Sequence, residues 1–372
     1  MWNLKIIVKI GVWLALTVGL APQFAIAAGD NEVNVFTWAD YISPQIKAAF
    51  EKATGLHMNI DVFDSNEALE ARLSVGNSGY DVVFTNVEPH LARQIPAGLY
   101  QKLDRQKLPN WPNLSPAILT LVAKSADPGN LYGAPWDWGT VGLGYNVAAA
   151  SQANGGKGPT TLADVFDPNR VKAFSQCGVE MLDSAYDIFP AALQYLHLDP
   201  NSHDPQALQK SADIVTAIRP FVRKFSSSGY ISDLANGDIC LALGYSGDVV
   251  IAAQRARESG NGVVLRYVLP QTDTINAFVD VMAIPKDAPH PQNAHILINF
   301  LMRPDIAAMA MNPIGFSTAN QAALPQIDPR LRNDPNLYPP DTVMRNFTLG
   351  EAPTPEFERL RTRAWTRAKS GS

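Results

Sequence analysis

Strand-like and helix-like segments alternate through residues 33–98, and this alternation constrains the fold more than any other feature of the chain. Residues 33–37 alternate apolar and polar side chains with the period of a half-buried strand. Ser43 then stands where an N-cap is expected, with Pro44 at the first helical position. Ile46, Ala49, Phe50 and Ala53 form one apolar helix face, and Gly55 stops it. Met58, Ile60 and Val62 alternate in a second strand. Asp64 and Glu67 form a capping-box-like pair before a helix that carries Leu69 and Leu73 and ends at Gly76. Residues 81–84 read as a short buried strand, and Pro89 opens a further helix with Leu91 and Ile95 inward and Gly98 after it. Repeated β-α-β units of this length predict a mostly parallel sheet with helices on both faces.

The pattern changes after Tyr132. Residues 133–146, rich in aromatics and glycine, show no helical period and suit a segment that crosses between two lobes. A second α/β region follows. Asp204 and Pro205 start a helix with Leu208, Ala212, Val215 and Ile218 inward, and residues 238–243 read as a buried strand with a helix from about Asp248. Residues 277–284 form another strand, and a helix runs through Ile296, Leu297 and Phe300. The 28 prolines and 25 glycines among 372 residues argue for many turns and against a helical bundle. The expected fold class is α/β with two lobes: residues 28–139 and 276–316 in the first, 140–275 and 317–372 in the second.

The N-terminus reads as a signal peptide over residues 1–27. Lys5 and Lys9 give the positive region, an apolar run covers residues 10–20, and Ala25 and Ala27 present small side chains to a peptidase. A membrane anchor is the alternative, but the run is short of the ~20 residues a span needs. Export predicts a periplasmic protein with no stable membrane insertion. Removing the two lysines takes the formal charge from −5 to −7. An acidic chain is a poor nucleic-acid partner and a reasonable host for cations. Arg359, Arg361, Arg363, Arg367 and Lys369 read as the wet face of a terminal helix that buries Phe357, Leu360, Ala364 and Trp365. Cys177 and Cys240 are an even count in an exported chain, which favours a disulfide over a catalytic thiol.

Enzyme signatures are weak. Residues 244–247 resemble a nucleophile elbow without the spacing of G-x-S-x-G, and Ser246 is expected to cap the following helix. Gly139, Gly142 and Gly144 do not have dinucleotide-binding spacing. The six histidines show no metal-ligand spacing and read as surface or loop residues, so neither a metal nor a cofactor is expected. Carboxylates instead lie beside aromatics at expected strand ends and helix starts: Trp38, Asp40 and Tyr41; Tyr186 and Asp187; Tyr245 and Asp248; Phe278 and Asp280. Open α/β sheets bind ligands at the carboxyl ends of strands. An ammonium group seeks carboxylates and aromatic faces, and a methylene chain seeks aromatic walls.

At these residues the sequence is similar to the bacterial putrescine- and spermidine-binding proteins of polyamine ABC transporters. The resemblance runs over nearly the whole chain after the signal peptide, with landmarks at residues 38–42, 62–67, 230–238, 338–340 and 361–365. It implies a type II periplasmic binding fold with a ligand cleft between the lobes, and a disulfide joining Cys177 to Cys240. It implies ligand contacts at Trp38, Asp40, Tyr41, Asp187, Tyr245, Asp248, Phe278, Asp280 and Phe316. The family's putrescine binders usually carry Ser, Glu, Trp and Tyr where this chain has Ala39, Asp187, Tyr245 and Phe316. Glu88 stands in a loop where a serine is usual. The implied function is capture of putrescine, spermidine or an agmatine-like amine by a monomer, for delivery to an ABC transporter membrane permease. An amine sensor that reports to a membrane receptor is the alternative binding role; a periplasmic hydrolase using Ser246 is the alternative enzyme.

Overall fold

A computed structural model describes residues 31–39, 41–63 and 66–371; the expected signal peptide, Asp40, and the capping pair of Asp64 with the Glu67 side chain lie outside the described residues. The first strand, β1 (Glu32–Trp38), leads into α1 (Pro44–Thr54), where the Ser43 hydroxyl accepts from Ile46 N at 3.3 Å and Gly55 ends the helix at φ 75°. Ile46 and Phe50 are buried, but Ala53 is exposed, so the apolar face is narrower than the spacing predicts. β2 (His57–Phe63) pairs parallel with β1 and forms one end of the main strand order. Its expected alternation fails at Val62, which is 60% exposed on that edge. α2 (Asn66–Ser74) buries Leu69 and Leu73, and β3 (Val82–Asn86) pairs parallel with β1. The helix expected at Pro89 is present but short: a π-helical turn, Val87–Leu91, regular from Pro89 onward, runs into one α-helical turn, Ala92–Gln94. α3 (Pro116–Ser125) then precedes β4.

β4 (Gly133–Asn146) is the crossing element, a single strand buried along its whole length. Its first half pairs antiparallel with β9 (Ile275–Ala283) and β10 (Ser317–Thr318). Its second half pairs antiparallel with β7 (Leu241–Tyr245) and β8 (Leu265–Val268). β7 pairs parallel with β5 (Val179–Met181), and β5 with β6 (Lys224–Phe225). The strand order is β2-β1-β3-β9-β4-β7-β5-β6, with β8 and β10 on β4 and β11 (Phe347–Thr348) on β9. The sheet is therefore mixed: each end is parallel, as β-α-β repeats require, and the two strands at the crossing are antiparallel.

Helices cover this sheet. α4 (Ala185–Tyr195) follows β5, and α5 (Pro205–Ile218) has Asp204 as its cap and buries Leu208, Ala212, Val215 and Ile218 as expected. α6 (Ser246–Ser259) begins directly after β7. α7 (Pro291–Leu301) and α8 (Pro304–Ile314) pack with α1 against β1, β3 and β9 in one core. In α7 Ile296 is 43% exposed, while Leu297 and Phe300 are buried. In α9 (Pro355–Ser370) two sequence expectations exchange places: Leu360 is 39% exposed, and Arg361 is buried with its guanidinium 3.5 Å above the Tyr186 ring. The amphipathic stripe is thus turned by one residue to meet α4. His90 and His295 are buried, contrary to the surface expectation; His295 Nε2 accepts from Asp104 N at 2.9 Å. Cys177 and Cys240 form a disulfide with Cα atoms 5.4 Å apart.

Candidate functional site

Three connections and one strand bring the expected residues to the crossing. β1 ends at Trp38, and the following turn delivers Tyr41 against Phe84 of β3, ring centroids 5.8 Å apart. β7 runs straight into α6, which puts Tyr245 at the junction and Asp248 in the first helical turn. β5 leads to α4, whose first turn carries Asp187. Asp280 and Phe278 lie within β9 rather than at its end, so the expectation of a strand terminus fails there; it is β3, the neighbour, that ends opposite Asp280, at Asn86. Phe316 follows α8 through Gly315 at φ 71°. A side chain at Gly247 would collide with the Phe316 ring, and one at Gly139 with Phe278 and the Ser246 hydroxyl. Those two glycines let the aromatics lie against the backbone of the crossing.

Tyr245, Phe278 and Phe316 form an edge-to-face ladder, with centroids 5.4 and 5.6 Å apart. Around it, three carboxylates each accept from a tyrosine hydroxyl. Tyr41 donates to Asp280 Oδ2 at 2.7 Å, Tyr230 to Asp248 Oδ2 at 2.7 Å, and Tyr245 to Asp187 Oδ2 at 2.8 Å. Asn86 Nδ2 donates to the other oxygen of Asp280 at 3.1 Å. Burial raises the carboxyl of Asp187 and holds that of Asp280 above the ordinary range; it pushes Asp248 up to about 6 despite the Tyr230 hydrogen bond and the pull of Arg255. The Tyr245 phenol is raised by burial and by Asp187, with smaller contributions from Asp248 and Asp280. Of the three carboxylates only Asp187 bonds that hydroxyl, and the other two act on it through their charge. Among the described residues none of the three forms an ion pair with Lys or Arg. Asp280 is buried and Asp187 and Asp248 are half-buried; carboxylates withdrawn from water without a cation are costly, and the arrangement favours an external positive charge.

Two further residues belong to this geometry and escape sequence reasoning. Tyr230 is completely buried; its hydroxyl accepts from Tyr245 N at 2.9 Å and donates to Asp248, joining strand end to helix start. Asp137 is completely buried directly opposite Asp280 in the β4–β9 register. Its signal in the sequence is a lone acid inside an aromatic run.

Other expected residues stand apart. Ala39 is exposed. Glu88 turns toward α3: its Oε1 accepts from Ser125 Oγ at 2.6 Å, and burial and nearby Glu351 push its carboxyl up to about 8. Ser246 does not cap α6. Tyr245 occupies the cap position, and the buried Ser246 hydroxyl accepts from Thr140 N at 3.3 Å, tying α6 to the crossing strand. Among the described residues, no group of three His, Cys, Asp or Glu side chains converges to hold a metal ion. No described helix is long and apolar enough to cross a membrane.

Beside the ladder, side chains bridge α4 and α9 to the turn after β3. Arg93 Nη2 bonds Glu70 at 2.6 Å and its Nη1 donates to Tyr186 Oη at 3.3 Å. Tyr186 Oη in turn donates to Glu358 at 2.9 Å, and Arg361, stacked over the Tyr186 ring, pairs with Glu358.

Comparison with known proteins gives a consistent result. The family model of bacterial extracellular solute-binding proteins matches residues 45–339. The putrescine-binding periplasmic protein SpuD of Pseudomonas aeruginosa (strain UCBPP-PA14) is 44% identical over 361 residues, covering 96% of this chain and 97% of that protein. The putrescine-binding periplasmic protein PotF of Escherichia coli (strain K12) is 41% identical over 364 residues, covering 97% and 96%. Among solved structures, a putative spermidine/putrescine ABC transporter from Listeria monocytogenes superposes with a TM-score of 0.78 at 27% identity, covering 91% of this chain and 99% of that one.

Proposed function

Given that the chain belongs to the bacterial extracellular solute-binding protein family, we propose that it captures a polyamine or related primary amine in the periplasm for an ABC importer. The observation that carries this reading is the set of tyrosine-held carboxylates, Asp187, Asp248 and Asp280, around the Tyr245–Phe278–Phe316 ladder. An ammonium group would neutralise charges that the protein leaves without a cation, and the ladder would wall the methylene chain. Relatives named for putrescine binding match along nearly the full chain and support the same class of ligand. Trp38, Asp40 and Tyr41 complete the proposed ligand set from the first lobe. The role is binding and delivery to a membrane permease, without catalysis, by a monomer.

Two lobes meet at β4 and β9. The first holds residues 28–139 and 276–316, and the second holds 140–275 and most of 317–372. β10 pairs with the first half of β4, and residues 321–326 pack on α8, so this short segment is assigned to the first lobe. Ligand entry closes the lobes and brings Asp280 and the pair Asp187 and Asp248 onto one molecule.

The ligand preference departs from that of a dedicated putrescine receptor. Tyr245 is engaged with Asp187, Phe316 offers no hydroxyl and Ala39 no donor. A site built on hydrogen bonds rejects a mismatched ligand because buried groups stay unpaired. Calorimetric titrations of putrescine, cadaverine, spermidine and agmatine, with amino acids as controls, test both statements. Binding of at least one amine is expected. The absence of binding by all four overturns the amine reading; putrescine winning by about tenfold or more overturns the altered preference alone.

A further inference from the structure

Asp137 is the one carboxylate at the crossing without a tyrosine of its own: the Tyr41 hydroxyl lies beside it but donates to Asp280 at 2.7 Å. It is completely buried, and among the described residues neither of its oxygens has a hydrogen-bond partner. It stands directly opposite Asp280, and Asn86 stands opposite Asp280 on the other side. Thr318 of β10 lies opposite Asp137. Directly opposed residues of antiparallel strands share a face, with Cβ atoms roughly 4.5–5.5 Å apart. Asn86, Asp280, Asp137 and Thr318 therefore form one polar row across four strands, on the face that carries Tyr41.

The row distributes its hydrogen bonds unevenly. Asp280 receives Tyr41 and Asn86, while Asp137 receives neither. The remaining groups that face the pair are phenols, one imidazole and one indole. Tyr41 lies beside both carboxylates, Tyr338 senses Asp137, Tyr245 senses Asp280, and His90 and Trp38 act on Asp280. Two carboxylates at this separation in a buried place do not both ionise. The hydrogen bonds assign the charge to Asp280 and the proton to Asp137. Burial and the Asp280 charge hold the Asp137 carboxyl well above its ordinary range, in agreement with that assignment.

We propose that Asp137 and Asp280 hold one shared proton in the empty protein and release it to solvent when the ammonium group of the ligand arrives, making Asp137 a ligand residue that couples binding to proton release. This rests on the amine reading above. The ligand nitrogen keeps its own protons; the proton lost is the one on Asp137, and the two carboxylates then share the added positive charge. The pair accordingly suits a cation with several N–H donors, a primary ammonium or a guanidinium, in place of a quaternary ammonium.

The test is calorimetric titration of putrescine, spermidine and agmatine at pH 7 in buffers of different ionisation enthalpy, which counts protons. The full-length mature protein is expected to release about one more proton per amine than Asp137→Asn, with both binding. Asp137→Leu serves if the Asn variant does not fold, and the empty Leu variant is expected to melt higher, because an unpaired buried acid has been replaced by an apolar group. Equal proton counts in wild type and variant, or none in either, overturn the proposal while leaving amine binding intact. Failure of the wild type to bind any of the three amines overturns the amine reading and this coupling with it.

Discussion

Asp187 and Asp248 stand in the first turns of α4 and α6, whereas Asp137 and Asp280 stand inside strands. A helix N-terminus carries a partial positive charge that favours a carboxylate, while a strand offers almost no net dipole. The acids of α4 and α6 are also separated, each with its own tyrosine: Tyr245 on Asp187 and Tyr230 on Asp248. The strand acids face each other and have one tyrosine between them. Asp248, pushed up only to about 6, is largely ionised at neutral pH before any ligand arrives. The strand pair reaches full charge only with a cation beside it. The same residue type thus does two things: the helix side attracts the amine, and the strand side responds to it.

Breaking the strand side is expected to do the most damage. Asp280→Ala removes a charge and leaves both the Tyr41 hydroxyl and the Asn86 amide without their acceptor. Losing one partner of a buried charge pair costs ~3–5 kcal/mol, so amine affinity is expected to fall by roughly two to three orders of magnitude. Asp248→Ala is expected to fall by only about one to two orders, because Tyr230 keeps its bond from Tyr245 N and Asp187 remains on that side. Calorimetry on folded variants checks the order. A larger loss for Asp248→Ala than for Asp280→Ala overturns the contrast between the two sides.

The parts of this arrangement that local chemistry decides were legible in the sequence. The Ser43 cap, the Gly55 stop and the inward face of α5 need only neighbours a few residues away. Periodicity failed where the partner surface decides. Val62 alternates correctly but lies on an edge strand, and the stripe of α9 is turned because Arg361 stacks on Tyr186 of a distant helix. The tyrosine-held acids were legible as carboxylates beside aromatics, yet the pairings were not: Tyr41 bonds Asp280 at a separation of 239 residues, and Tyr245 bonds Asp187 at a separation of 58. Asp137 was missed because only the register of β4 on β9 shows what it faces.

Glu88 tests whether burial alone makes a site residue on the first-lobe side. Its carboxyl is pushed up to about 8, chiefly by burial, with Glu351 adding to the shift and the Ser125 hydrogen bond opposing it. The folded protein therefore holds a proton that the unfolded chain releases above its ordinary glutamate pKa. The stability from that proton is present at low pH and is lost as pH rises from about 4.5 through about 8. Glu88→Gln is expected to stabilise the empty protein by roughly 1–3 kcal/mol at pH 8 and by almost nothing at pH 4.5, as read from denaturant melts. Affinity for the amine is expected to change less than about threefold, because the side chain answers to Ser125. A tenfold loss of affinity would bring Glu88 into the ligand set.

The smallest expected effect lies where the two sides touch beyond the site. The Tyr186 hydroxyl links Arg93, after β3, to Glu358 of α9, and Arg93 is itself anchored on Glu70. Tyr186→Phe deletes the hydroxyl and keeps the ring under Arg361. The partners on both sides are partly exposed, so solvent screens the loss, and such contacts contribute ~0.2–1 kcal/mol. On the proposed closure, in which the contact forms as the lobes meet, its loss is expected in the dissociation rate, about two- to fivefold faster, with the association rate unchanged. Stopped-flow measurement of both rates with the preferred amine checks this. An unchanged dissociation rate would mean that Arg93, Tyr186 and Glu358 only fill the surface. A loss beyond about twentyfold would mean that closure is held here as much as by the carboxylates, and the division between an attracting and a responding side would then need a third, latching region.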